Sequence, residues 1–413
     1  MRRHSSACIA ICLLAAVCAS CDTPAPDARP GDLTGILPVD DHGLLQEWPP
    51  AGPHRLWVRD LGPGYSGIAV GEGRLFTMYR AGGKEVVVAL DALTGATLWE
   101  SAYESEPNEA QYLEYGEGPN AAPLLDDGRL YTIGFAGVMH CLDTATGAVL
   151  WSHDLWREFG GNVVEVGYSS TPVVYRDTVI VLVGGKGHGA VAFDRTDGHV
   201  VWENLDFETS YATPAIMKLG GDDQLVAFMT TEVVGADPDN GDLLWRYAIR
   251  NSYPQNIFNP IQLGDDLVFV STLEAGSRGL RPVRGDGFRV EEVWSTRRLQ
   301  CFYARYAHVG DYLYGSSGDQ SVPLMSAIDV RSGELAWRVR GFALSHVIGV
   351  GSRLILLDDE GKLTLATPGP DGLTVHSEAR ILTAPALTPP TVVGSVLYAR
   401  DQREIVALQL GPS

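Results

Sequence analysis

The chain has 413 residues, 45% hydrophobic and 20% charged, the balance of an ordinary globular protein. Its 51 acidic against 31 basic residues leave a formal charge of −20, with no basic run. That argues against a nucleic-acid partner, whose phosphates require a basic stripe. The 47 glycines and 24 prolines predict a chain rich in turns.

Residues 1–20 form a separate object. Arg2 and Arg3 make a short basic start, and the apolar run from Ala7 to Ala19 is too short to span a bilayer as a helix. This is the pattern of an export signal. The "CASC" end resembles the lipobox of bacterial lipoproteins, with Cys18 where that motif usually carries Leu. The resemblance implies that Cys21 becomes the lipidated first residue and tethers the protein to a membrane. Removing residues 1–20 leaves Cys21, Cys141 and Cys301, too few for a disulfide scaffold. Residues 21–50, opening with "CDTPAPDARPGD", read as a flexible tether. Residues 51–413 are predicted to form one domain.

That domain is repetitive. Asp91 to Trp99, Asp143 to Trp151, Asp194 to Trp202, Asp237 to Trp245 and Asp329 to Trp337 all place Trp eight positions after Asp. Each has Gly four after Asp and a small residue two before it. The flanks, such as "EVVVALD" and "RLFTMY", are β-branched or aromatic runs bounded by turn residues. The spacing predicts a unit of four strands. The Asp carboxylate would nucleate the turn before the fourth strand. The Gly would supply a positive φ, and the Trp a packing plate against the neighbouring unit.

Eight inner strands are expected to open near Tyr65, Asn120, Tyr168, Tyr211, Phe258, Tyr306, Ser345 and Thr388. The fifth unit, ending at Trp294, and the seventh, ending near His376, lack the turn motif. The eighth ends at "IVALQL" without a fourth strand, and "HRLWVRD" (54–60) is the candidate to supply it. The predicted fold is all-β: an eight-bladed β-propeller of four-stranded antiparallel blades, closed by an N-terminal strand that removes the open edge.

The pattern A-x-D-x-x-T-G-x-x-x-W of Ala89–Trp99 resembles the repeat of pyrroloquinoline-quinone (PQQ) propellers. That superfamily includes quinoprotein alcohol dehydrogenases and the propeller lipoprotein of the outer-membrane barrel-assembly machinery. The resemblance covers about residues 43–410 and bears on fold more than on activity. The quinoproteins imply adjacent cysteines over the cofactor, a calcium ion and a catalytic Asp, and this chain has no Cys-Cys pair.

Other residues and motifs bear on chemistry. Cys141 fills the small-residue slot of the repeat. Cys301 lies near an inner strand, and a buried, inert thiol is expected there. The five repeat aspartates are spread around the ring and cannot converge on one calcium ion. "GGKGHG" (184–189) lacks the spacing of a phosphate-binding loop and is expected as a hairpin loop. No G-x-S-x-G elbow supports a hydrolase.

Two places remain. The acidic segment 100–120 and the segment 152–168, with Trp156 and Phe159, are long for interblade links and could form a rim for a cationic or peptide partner. Tyr65, Asn120, Tyr168, Tyr211, Asn256, Arg305 and His346 are expected around the channel mouth as possible ligand contacts. Together these features predict an exported, lipid-anchored, non-enzymatic binding or assembly module at the periplasm or cell surface. Its partner would be an envelope protein or an extended polymer, no cofactor is expected, and the protein should be a monomer. The alternative is a PQQ-dependent alcohol or sugar dehydrogenase with calcium.

Overall fold

The computed structural model describes residues 43–252, 255–301, 303–318 and 322–412. The export signal and Cys21 lie outside the described residues. Among those described, no helix is long and apolar enough to cross a membrane.

Eight four-stranded antiparallel sheets follow one another around a ring. Seven are built from consecutive strands, spanning 69–104, 124–154, 173–207, 215–248, 261–296, 307–339 and 345–380. The eighth takes strands from 391–409 and adds His54–Asp60 as its outer strand. In that strand His54 pairs with Gln409 and Asp60 with Glu404. The ring is therefore closed by its own N-terminal segment, as expected.

In six of the eight blades the inner strand begins three to five residues later than expected. The strands Leu124–Asp126, Val173–Tyr175, Ala215–Leu219, Ile261–Leu263 and Thr391–Val393 all start immediately after a proline. Proline has no N–H to give the ladder, so pairing starts beyond it. The residues ahead of it instead bond to the next blade. Ala122 N donates to Thr171 Oγ1 (3.2 Å), Thr171 N to Thr213 Oγ1 (3.0 Å), and Thr213 N to Asn259 Oδ1 (2.8 Å).

The repeat motif is an interlock. Asp91 Oδ1 accepts from Leu93 N and Thr94 N, and Asp143 does the same for Ala145 and Thr146. The Thr94 and Thr146 hydroxyls donate to the same carboxylates and hold them below the ordinary carboxylate range. Where the next blade carries the Asp motif, the Trp donates to the carbonyl just after that Asp. The bonds are Trp57 to Ala92 (3.0 Å), Trp99 to Thr144 (2.9 Å), Trp202 to Pro238 (3.2 Å) and Trp294 to Val330 (3.0 Å). The motif glycine of that next blade lies flat against the same indole: a Cβ on Gly147 would fall 2.5 Å from Trp99, and on Gly95 2.7 Å from Trp57. Glycine is needed twice over, for φ near +70° and for this approach. The blade after Trp245 lacks the motif, and its indole N–H turns to Gln224 Oε1 within its own blade.

The core lies between blades. Leu75, Val88 and Leu90 of the first blade pack with Tyr398, Ile405 and Ala407 of the eighth. Across the same seam Arg400, fully buried, donates to Met78 O, Gly62 O and Thr77 Oγ1. The tether boundary needs correction: residues 43–50 do not belong to it. Leu45 N donates to Leu410 O (2.9 Å), Arg353 to Leu45 O (2.8 Å), and Trp48 is only 6% exposed among blades seven and eight. Burying the Leu and Trp side chains holds this segment against the ring despite its proline- and glycine-rich context.

Candidate functional site

Antiparallel order puts the first turn and the Asp turn of every blade at one end of the ring, where Ala92 N bonds Gly73 O. The interblade linkers and the starts of the inner strands lie at the other end. The two long linkers and the mouth residues therefore share one face.

The seven mouth residues join blades to one another. Tyr65 N donates to Pro119 O, and its carbonyl accepts from Thr388 Oγ1. Asn120 Nδ2 donates to Val166 O (2.9 Å), and Tyr211 N to Asn256 O (3.1 Å). Asn256 Nδ2 donates to Met229 O, and Tyr168 N to Phe135 O of the second blade (3.0 Å), while its buried hydroxyl donates to Leu182 O within the third. His346 accepts from Arg305 N at Nδ1 (3.1 Å) and donates from Nε2 to Leu387 O (2.9 Å). That arrangement needs a neutral imidazole, and burial holds its pKa down to about 4. Tyr65, Asn120 and Arg305 remain half-buried.

The segments 100–120 and 152–168 meet over the hairpin tip at Phe135. Gly118 and Gly167 both lie against that ring, Gln111 Nε2 donates to Phe135 O (2.9 Å), and Tyr112 N to Glu165 O. Beneath them Glu85 is fully buried and accepts from Phe135 N (2.8 Å) and the Tyr103 hydroxyl (2.9 Å). Burial pushes its carboxyl up. Tyr103 also packs on His140 with ring centroids 4.3 Å apart, and burial lowers that imidazole to about 4. Segment 152–168 opens with the one-turn helix Leu155–Phe159, capped by Asp154 accepting from Arg157 N, with Glu158 reaching back to Asp154 N.

Between the two segments is a cleft of about 530 Å³. Glu104, Ser105, Glu106 and Asn108 form one wall; Asp154, Trp156, Arg157, Gly161 and Val163 the other. The residues that form it were legible as long linkers, but Ser105 and Asn108 carried no individual signal.

Other expected features resolve differently. "GGKGHG" is not a hairpin loop. Gly185–Asp194 is one strand with a bulge between Lys186 and Ala190, where Gly187 N caps Asp206 Oδ1. The glycines allow the extra residues to be accommodated in the ladder. Cys141 faces Trp151 in its slot, and Cys301 lies in a buried cluster with Tyr306. Both are free, and burial raises both thiols to about 12. Among the described residues, one group of three metal-type side chains converges, Asp194, Asp197 and His199, in a repeat turn at the opposite end from the mouth.

The fold and its repeat define a PQQ-type eight-bladed propeller. The family described as outer membrane protein assembly factor BamB matches residues 83–339, more than half of the chain, and the chain belongs to that family. No curated protein matches it. Among solved structures it is similar to BamB from Moraxella catarrhalis, at 18% identity and a TM-score of 0.60, over 86% of this chain and 99% of that one. It is also similar to the quinohemoprotein alcohol dehydrogenase of Comamonas testosteroni, at 12% identity and a TM-score of 0.64, over 92% of this chain and 79% of that one. A quinohemoprotein alcohol dehydrogenase from Pseudomonas putida HK5 gives 12% and 0.63, over 93% and 81%. At these identities the likenesses establish the fold alone.

Proposed function

We propose that this protein is an exported, non-catalytic binding or assembly scaffold of the cell envelope, anchored through Cys21. The observation that carries this reading is the rim cleft. The ring is rigid and repetitive, and the two linkers that depart from the repeat come together on the mouth face around a cavity. Function concentrates in such loops on a fixed frame. Membership of a family described by an outer-membrane assembly factor supports an envelope setting. The N-terminal segment meets the ring at Leu410 and Gly411, on the end opposite the mouth. The described chain thus enters the ring on the side away from the cleft face, which is the face proposed for an envelope protein or an extended polymer.

The test is affinity capture from a solubilised envelope fraction, with the purified protein as bait. Retention of a defined partner supports the scaffold. Stoichiometric uptake of PQQ with calcium, together with dye reduction in the presence of an alcohol, would sink it. Labelling with radioactive palmitate, lost in Cys21→Ser, is the outcome expected for the anchor.

A further inference from the structure

The rim cleft has a definite chemical character. Segment 100–120 carries six glutamates and no Lys or Arg. Glu104 is paired with Lys84 and Asp154 leans on Arg157, while Glu106, exposed at the cleft wall, has no cation partner among the described residues. Beside the cleft Tyr112, Leu113 and Tyr115 are exposed, an unusual aromatic and aliphatic display on an acidic loop. Deeper, Trp156 lines the cleft at 9% exposure, and its indole N–H has no acceptor among the described residues. A buried donor without a partner is costly, and Trp156 is one of the residues that line the cleft.

We propose that this cleft is a docking site for a basic segment of a partner protein, with a Lys or Arg side chain held by Glu106 and Asp154 and a backbone carbonyl accepting from Trp156. The inference rests on the scaffold reading and names the chemistry of its partner. Charge complementarity requires a cation. A free polyamine supplies cations but no acceptor for the indole, whereas a peptide supplies both. Tyr112, Leu113 and Tyr115 would cover apolar side chains flanking the base.

Fluorescence anisotropy on the purified full-length protein tests this, using dye-labelled acetyl-LKLKL-amide as the probe, with acetyl-LELEL-amide and spermine as comparators. The basic peptide should bind, more weakly at higher salt, and the acidic one should not. Glu106→Gln, an exposed change that leaves the fold intact, should weaken binding roughly threefold to fivefold. Trp156→Phe should weaken it about tenfold. Equal binding of the two peptides, or wild-type binding by both variants, overturns the proposal, as does spermine displacing the peptide at equal concentration. Envelope capture separates the two readings. If both variants still retain the wild-type partner, the scaffold stands and this cleft is not its site. If the wild type retains nothing yet binds the basic peptide through Glu106, the cleft stands and the scaffold falls.

Discussion

Gly147 and Gly128 have nearly the same backbone, φ 72° and 74°, yet different surroundings. A Cβ on Gly128 meets nothing within 4 Å, while one on Gly147 meets the indole of Trp99. Gly128→Ala should therefore cost only the left-handed penalty, about 1–2 kcal/mol. Gly147→Ala adds overpacking and should cost about 2–5 kcal/mol in urea unfolding. Equal costs would mean that the interlock contributes nothing. A second residue-scale prediction concerns His140 and His346. Both have a folded pKa near 4, below the unfolded value near 6.5. Their neutral forms are favoured by folding. Their contribution is thus complete above pH 6.5 and is lost as pH falls toward 4, by about 1.4 kcal/mol per pH unit for each. His140→Phe should flatten the measured stability–pH curve by about that slope in this window.

The seam is the decisive element. Arg400 is buried without a directly paired carboxylate, and burial lowers its pKa to about 9. Its guanidinium is satisfied by Met78 O of the first blade and Gly62 O of the connection leading into it. Arg400→Met leaves Met78 O and Gly62 O without that donor and should destabilise by about 2–4 kcal/mol, read as a lower denaturation midpoint. The segment 43–50 adds a second clasp over blades seven and eight. Deleting residues 43–50 should lower the melting temperature while keeping the far-ultraviolet spectrum of a β protein, because the strand His54–Asp60 still closes the sheet. Trp48→Ala alone should account for about 3–5 kcal/mol of that loss.

At the scale of the whole molecule, much was legible because the ring is periodic. Five Asp-to-Trp copies in one register announced blades, and His54–Asp60 stood out as a fourth strand without a unit of its own. The segment 43–50 was misread because composition reports average solubility, whereas Trp48 finds a specific apolar groove. The channel-mouth residues lie at the end of the ring that carries the interblade linkers, and their hydrogen bonds to neighbouring blades have no signature in a single strand's pattern. The Thr-Pro and Asn-Pro pairs at 171–172, 213–214 and 259–260 were the available signal for that belt. The sequence by itself determined the blade, since turn carboxylate, glycine and indole are local in the chain and repeat at fixed spacing. Only the tertiary structure decided the cleft. Residues 104–108 and 154–163 follow different blades, and it is the packing of the first blade beside the second that brings Glu106 and Trp156 to the walls of one cavity.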